Sequence, residues 1–195
     1  MTYANNSSNQ LLSTPLATFT YDQNGNILSK NNSYGLATYA WDYENRLTSA
    51  TTQNGVITFK YDPFGRRIQK SSASGTTIYV YDGANAVEEL DGAGVVTARF
   101  VQGAGIDEPL AQSRSGLNFY HADGLGSVTS MTDGAGLPSA TYVYGAFGTL
   151  ASSSGTVANP YRYTAREYDP ETGLYYYRAR YYDPTIGRFL SEDLM

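Results

Sequence analysis

Aromatic and polar positions recur with a fixed period along the first half of the chain. An aromatic residue followed by aspartate occurs at 21–22, 41–42, 61–62 and 81–82, which is a repeat of 20 residues. A constant period in this range is typical of proteins built from stacked structural repeats. Each repeat has a further aromatic residue two positions earlier, so the pattern comprises Phe19, Tyr21, Tyr39, Trp41, Phe59, Tyr61, Tyr79 and Tyr81.

The spacing of these rings predicts strands. Residues two positions apart in a strand point to the same face, so each repeat offers two aromatic side chains to one side of a sheet. The residue between them is Thr20, Ala40, Lys60 or Val80, a mixed set that suits a half-exposed opposite face. Stacked in register, the repeats form two aromatic ladders across adjacent strands.

Each aromatic-aspartate pair is followed by a turn signal. Aspartate at the first position of a type I turn accepts hydrogen bonds from the backbone that follows it, and Gly or Asn tolerates the left-handed conformation that closes the turn. The predicted turns comprise Asp22 and Gly25, Asp42 and Asn45, Asp62 and Gly65, and Asp82 and Asn85.

A second, shorter strand is predicted after each of these turns. Its apolar positions are Ile27, Leu47 and Val87, whereas Arg67 breaks the series and Ile68 is expected to take its place. A second turn follows, for which Asn-Gly is a strong hairpin signal; these turns lie at Tyr34-Gly35, Asn54-Gly55, Ser74-Gly75 and Asp91-Gly92. Each unit therefore consists of strand, turn, strand and turn, without helix, and depends on its neighbours for stability.

The composition excludes several classes of function. Charged residues make up 16% of the 195 residues and the net charge is −5, so the clustered cations that nucleic acid requires are missing from the first 160 residues. The chain has no cysteine, which excludes disulfides and thiol catalysis. No apolar run reaches the length of a membrane span, and no export signal is visible at the start. We expect no cofactor and no metal, since the calcium spacing Asp-x-Asp-x-Asp is absent.

The repeat chemistry continues beyond residue 100 in a weaker form. Asp-x-x-Gly recurs at 91–94, 123–126 and 133–136, and "LASSSGTVANP" is the one linker-like stretch. The sequence thus predicts five segments: a lead-in (1–17), repeats of period 20 (18–100), degenerate repeats (101–149), a linker (150–160) and a Tyr/Arg-dense end (161–195).

The final segment, "YRYTAREYDPETGLYYYRARYYDPTIGRFLSED", resembles the RHS-repeat-associated core signature of the bacterial RHS/YD-repeat proteins. The preceding "IDEPLA" and "YHADGLGSVTSMTDGAGLPSATYVYGAFG" resemble the segment that leads into that core. The resemblance implies an all-β fold in which stacked antiparallel β-hairpins form a curved or spiralling sheet, a partial shell, capped by the core. In long members such a shell surrounds a toxic C-terminal polypeptide; relatives include contact-inhibition proteins, C subunits of insecticidal toxin complexes and teneurins.

Some members of that family release their cargo by aspartyl autoproteolysis beside the core. Asp193 matches the first cleavage aspartate by position, and Arg180 and Arg188 lie in the motifs near the arginine associated with cleavage. The second aspartate and the Pro and Gly of the motif are missing from this sequence. A paired-acid mechanism requires both carboxyl groups. We therefore predict no catalytic residues.

The arginines of the final segment could stack on bases or sugars, but pairing with nearby acids is the favoured interpretation. We expect them to lie over tyrosine rings at a sheet edge and to pair with Glu167, Asp169, Glu171 and Asp183. The arginines concerned are Arg162, Arg166, Arg178, Arg180 and Arg188.

These observations predict a non-catalytic structural module that encapsulates a polypeptide or presents it at a bacterial cell surface or in secreted form. Its expected partners are its own C-terminal toxin or further repeats, if it belongs to a longer chain. Two alternatives remain open. Open sheet edges favour homo-association into a tube or filament, and nineteen tyrosines and one tryptophan could bind glycans.

Overall fold

Sixteen strands form one antiparallel sheet in which the spatial order of the strands is their order in the chain. The computed structural model describes residues 3–193. The strands of this large sheet are β1 (Ala4–Asn5), β2 (Leu11–Thr14), β3 (Ala17–Tyr21), β4 (Ile27–Asn32), β5 (Gly35–Trp41), β6 (Leu47–Thr52), β7 (Gly55–Tyr61), β8 (Arg67–Ser72), β9 (Gly75–Asp82), β10 (Asn85–Asp91), β11 (Val96–Gln102), β12 (Pro109–Ser113), β13 (Leu117–Ala122), β14 (Val128–Asp133), β15 (Pro138–Tyr144) and β16 (Leu150–Gly155).

A second, smaller sheet is built from the end of the chain. It contains β17 (Glu167–Asp169), β18 (Leu174–Tyr176), β19 (Tyr181–Asp183) and β20 (Arg188–Phe189), preceded by a short 3-10 turn at Tyr163–Ala165. We refer to residues 161–193 as the C-terminal unit. No α-helix occurs within residues 3–193, and the prediction of an all-β fold of stacked hairpins is confirmed.

The hairpin turns follow from the repeated aspartate. The Asp62 carboxylate accepts hydrogen bonds of 2.9 Å from the backbone N–H groups of Phe64 and Arg66. Gly65 donates its N–H to the Asp62 carbonyl at 3.0 Å and has φ of +79°, which a residue with a side chain rarely adopts. The ladder register shifts between Lys60 and Tyr61, so a β-bulge adjoins the turn.

The fourth repeat differs from the predicted pattern. Asp82 pairs with Asn85 across a two-residue turn, whereas the other repeats have a longer turn. The shorter turn changes the register, so Ala86 lies opposite Tyr81 and is buried. The assignment of Val87 to the buried position was wrong for this reason.

Two predicted segment boundaries also change. Residues 4–5 and 11–14, expected to form a lead-in outside the repeats, pair as the first two strands of the large sheet, and Leu11 is buried. Residues 150–155, expected to belong to a linker, form β16. All six residues of β16 are exposed, because an edge strand is held by backbone pairing and requires no apolar side chains.

The large sheet curls around the C-terminal unit. The Ile27 N–H, at the start of β4, donates to the Leu190 carbonyl at 2.8 Å. The Tyr182 hydroxyl donates to the carbonyl of Phe147, in the turn after β15, at 3.1 Å. In a flat sheet β4 and β15 would lie about 50 Å apart. Both contact the same small sheet, so the strip is curved.

The core lies between the two sheets. The first aromatic residue of each early repeat is buried with residues of the C-terminal unit: Phe19, Tyr39 and Phe59 share a cluster with Leu174, Tyr176, Tyr181 and Leu190. Farther along the sheet, Phe100, Tyr120 and Tyr142 share a second cluster with Tyr161. The ring-lined face is therefore the concave face, and the C-terminal unit fills it.

Candidate functional site

The second aromatic residue of each repeat connects neighbouring hairpins by a hydrogen bond. The Trp41 indole N–H donates to the Ile27 carbonyl at 2.9 Å, the Tyr61 hydroxyl to the Leu47 carbonyl at 2.8 Å and the Tyr81 hydroxyl to the Arg67 carbonyl at 2.9 Å. Every one of these pairs is separated by 14 residues. The sequence carried a signal for this contact, because the second position always holds a ring with a donor, whereas the first holds Phe or Tyr.

Arg67 lies in the core of the concave face. It is fully buried opposite Tyr61, at the position that Ile27 and Leu47 occupy in the preceding repeats. The expectation that Ile68 would replace it was wrong, because Ile68 is only half-buried. The guanidinium carbon of Arg67 lies over four rings, at 4.4 Å from the centroid of Tyr176 and farther from Phe59, Tyr79 and Tyr181.

The charge of Arg67 is balanced by the C-terminal unit. Its Nη1 donates to the Asp169 carboxylate, and its Nη2 lies 2.7 Å from Oε2 of Glu167. Lys70, also on β8, lies 3.0 Å from the second oxygen of Asp169 and 3.1 Å from Glu171. A charge can be buried in an apolar core at tolerable cost only when it is paired in this way.

The pKa values of the Asp169 and Glu167 carboxyl groups are shifted in opposite directions by this environment. Burial opposes ionisation of Asp169, but Arg67 and Lys70 outweigh it and hold the pKa of Asp169 below its usual value. Burial raises the pKa of Glu167, and Arg67 offsets this effect only in part. Burial also opposes the charge of Arg67, yet Asp169 is the main reason that the pKa of Arg67 is raised well above its usual value.

The acids of the C-terminal unit thus pair mainly with cations of the large sheet. Asp183 follows the same rule, since it binds Lys30 of β4. The predicted pairing of these acids with the arginines of the same segment was wrong. The cause is that the C-terminal unit faces the sheet, and the basic partners are 99 to 153 residues away in the chain.

The arginines of the C-terminal unit have other contacts. Arg162 lies over Tyr168 at 4.5 Å, and Arg166 over Tyr177 at 4.9 Å, as expected for arginines among tyrosines. Arg166 and Arg178 pair with Asp107, in the connection between β11 and β12.

The residues that match the family's cleavage motif lie at the surface. The Asp193 side chain is 71% exposed and its carboxylate lies 3.2 Å from Nη2 of Arg180, which itself stacks on Phe189. Arg188 is exposed on β20. Within residues 3–193 no group of three or more acidic or histidine side chains is arranged to hold a metal ion. The same residues contain no helix long and apolar enough to cross a membrane.

A strip of YD hairpins that curls around its own C-terminal unit defines a class of β-repeat structural proteins. The whole chain, residues 1–195, matches the family model described as Teneurin YD-shell. The chain belongs to the Teneurin YD-shell family, and its resemblance to the RHS/YD-repeat proteins is confirmed.

Curated relatives are similar in sequence to part of the chain. The "tRNA3(Ser)-specific nuclease WapA" of Bacillus spizizenii is 40% identical over 113 residues, which are 56% of this chain and 5% of that protein. The "tRNA nuclease WapA" of Bacillus subtilis strain 168 is 39% identical over 112 residues, with the same shares. The chain therefore spans about a twentieth of the length of these relatives.

Solved structures share the fold. In a crystal structure of TcdB2-TccC3-TEV, the matching region covers 98% of this chain and 14% of that chain, with a TM-score of 0.62 and 18% identity. A Photorhabdus luminescens Tc holotoxin pore matches 99% of this chain and 14% of that chain, with a TM-score of 0.63 and 17% identity. At these identities the likeness concerns the fold alone.

Proposed function

We propose that this chain is a non-catalytic wall segment of a YD shell, whose concave face holds a polypeptide segment in place. One observation carries the proposal: the ring-lined face of the sheet is covered by residues 161–193, which are fastened to it by the buried contacts of Arg67 with Asp169 and Glu167. In a longer shell the same type of surface would line the interior.

The proposal includes a toxin-associated role outside the bacterial cell. One of the two structural neighbours is described as a Tc holotoxin pore, and the curated relatives are named as nucleases. The chain spans only a small part of those proteins, so their activities are not carried over to it. We infer that it contributes the wall, and that any toxic activity belongs to other polypeptide.

Limited digestion with trypsin tests whether the concave face protects the C-terminal unit. The partly buried arginines of this unit are the cleavage sites to follow, namely Arg162, Arg166, Arg178 and Arg180, and Arg99, with 65% of its side chain exposed, is a reference site on the sheet. We expect cleavage at these four sites to be slower than cleavage after Arg99, and to accelerate in Arg67→Leu. Equal rates at both places in the unmodified chain would contradict the proposal.

Absence of catalysis is tested on the same protein by intact mass. We expect the 21.2 kDa chain to remain uncleaved on incubation. A shorter product that disappears in Asp193→Asn would reveal autoproteolysis, and the wall segment would then also be an enzyme.

One alternative, self-association, has an observation in its favour. β16 is the last strand of the large sheet within the described residues, all of its side chains are exposed, and an open edge invites pairing with another strand. Light scattering across a wide concentration range distinguishes the two proposed functions. A constant monomer mass supports the wall segment, and growth into fibres supports the filament. Glycan binding is not favoured, because the rings of the ladders face the C-terminal unit.

A further inference from the structure

A cavity of about 720 Å³ lies beside the ion-paired core. The turns of three hairpins form one wall, at residues 43–46, 63–66 and 84–86, and the C-terminal unit forms the other, at residues 165–167, 176, 178 and 179. Asp107, in the connection between β11 and β12, also lines the cavity. The volume falls within the usual range for sites that bind small molecules.

One carboxylate serves two guanidinium groups at this cavity. Nη2 of Arg166 lies 2.5 Å from one oxygen of Asp107, and Nη2 of Arg178 lies 2.8 Å from the other. Each guanidinium has five N–H donors, so both arginines retain donors beyond those that Asp107 accepts. The cluster carries one net positive charge. Burial lowers the pKa of Arg166 below its usual value, Asp107 acts against this effect and Arg178 adds to it.

The other charged groups of the lining already have partners. Arg46 pairs with Asp42 and with Glu44. Arg66 lies 2.7 Å from the Asp62 carboxylate. Glu167 is bound to Arg67. The excess positive charge of the lining is therefore localised at Arg166 and Arg178, whereas the group of Arg46, Asp42 and Glu44 carries one net negative charge.

The remaining lining is rich in rings. Tyr81, Tyr161 and Tyr176 contribute to the inner walls. Phe64 and Tyr43 line the cavity although they are 84% and 88% exposed, which is unusual for such large side chains. These residues make an apolar surface next to the two arginines.

The backbone around the cavity is also unusual. Six residues other than glycine have positive φ within residues 3–193. Four of the six line this cavity: Asn45, Asp107, Ala165 and Arg178, with φ between +55° and +62°. For Ala and Arg this conformation is unfavourable, and such residues concentrate at functional sites.

We propose that the cavity is a binding site for a small organic acid, in which a carboxylate pairs with Arg166 and Arg178 and an apolar or aromatic body lies against the rings. A guanidinium group matches a carboxylate through two parallel N–H donors. Glu167 lines the cavity and also pairs with Arg67. The proposed charge partners, Arg166 and Arg178, take no part in the contacts of Arg67 that carry the wall-segment proposal, so the two proposals are tested separately.

Isothermal titration of the full chain with three probes tests this site. The probes are 4-phenylbutyrate, its neutral analogue 4-phenylbutanol, and acetate, which lacks the apolar body. We expect 4-phenylbutyrate to bind about tenfold more tightly than 4-phenylbutanol, since one charge-assisted interaction is worth that much. It should also bind more tightly than acetate, because its phenyl ring buries apolar surface in the cavity. Equal binding of the acid and the alcohol, or no binding of the acid, would overturn the proposal.

Variants locate the site. Arg178→Gln should lower the affinity for 4-phenylbutyrate by about tenfold and abolish the preference for the acid over the alcohol. Arg162→Gln is the matched control, because Arg162 stacks on Tyr168 and does not line the cavity, and it should bind as the unmodified chain does. NMR chemical-shift changes of the Gly65 and Ala179 amides on addition of 4-phenylbutyrate to the unmodified chain locate the site without a variant. Unchanged affinity in Arg178→Gln, or shifts elsewhere only, would refute the assignment.

Discussion

Arg67 of the large sheet and Asp169 of the C-terminal unit form a buried ion pair, although 102 residues separate them in the chain. Arg67 occupies a position that other repeats fill with an aliphatic side chain, so this repeat differs from its neighbours where the C-terminal unit must dock. Because an unpaired charge is costly in the core, the pair gives the unit one defined position on the sheet.

Removing the guanidinium should destabilise the protein strongly. Arg67→Leu leaves the carboxylates of Asp169 and Glu167 buried without their main cation, and we expect the free energy of unfolding to fall by about 3–5 kcal/mol. Urea unfolding followed by circular dichroism measures this change.

Arg99→Leu is the control for that experiment, because Arg99 forms an exposed pair with Glu88. Arg99→Leu should lower the free energy of unfolding by less than about 1 kcal/mol. Similar losses in the two variants would mean that the buried pair has no special role.

The buried carboxyl groups should give opposite pH dependences. The lowered pKa of Asp169 means that its contribution to stability is present above about pH 4 and is lost as the pH falls through the folded-state pKa. The raised pKa of Glu167 means that its contribution is present below about pH 4 and is lost as the pH rises through the folded-state pKa.

Urea unfolding between about pH 3 and pH 7 distinguishes the contributions of the two carboxyl groups, because this range extends to both sides of roughly pH 4. Asp169→Asn should reduce the loss of stability on acidification, and Glu167→Gln should reduce the loss that the unmodified chain shows above about pH 4. Asp42 and Asp62 also have lowered pKa values, so Asp169→Asn removes only part of the acid dependence. The same pH profile in both variants would contradict the assignment.

The hydroxyl groups of the two aromatic ladders should differ in how much they contribute to the stability of the protein. Tyr81→Phe leaves the Arg67 carbonyl without its donor, and we expect a loss of about 0.5–1.5 kcal/mol. Tyr39→Phe alters a ring of the first ladder, which is buried among apolar residues of the core, and should change stability little. Thermal unfolding of both variants makes the comparison, and a larger loss for Tyr39→Phe would be inconsistent with the described hydrogen bonding.

Two glycine turns should respond differently to a methyl group. Gly65 and Gly148 have φ of +79° and +86°, so Gly65→Ala and Gly148→Ala both incur backbone strain of about 1–2 kcal/mol. A Cβ at Gly148 would also lie 2.5 Å from the Tyr163 ring, whereas one at Gly65 would meet nothing within 4 Å. We expect Gly148→Ala to lower the free energy of unfolding by at least about 1 kcal/mol more than Gly65→Ala does. Equal losses would show that the C-terminal unit does not press on this turn.

The hairpins were predictable from the sequence because their determinants are local. Ring spacing fixes which face is buried, and Asp62 with Gly65 specifies the turn within four residues. The resemblance of the final segment to a known core identified the architecture.

The docking of the C-terminal unit was not predictable in the same way. Arg67 interrupts an apolar series, and its partners lie about a hundred residues later, so no local pattern connects them. The strand β16 was missed because its Ser-rich sequence has no apolar face, and only pairing with β15 makes it a strand. The cluster around Asp107 has no sequence signal, since it joins a connection between strands to residues of another sheet.

The coincidence of spatial and chain order among the sixteen strands has a consequence for how the molecule is made. Each strand needs only its predecessor in order to pair, so hairpins can be added one at a time as the polypeptide emerges during synthesis. The concave face stays uncovered until residues 161–193 have been synthesised. Docking of this C-terminal unit is thus the event that covers the ring-lined face.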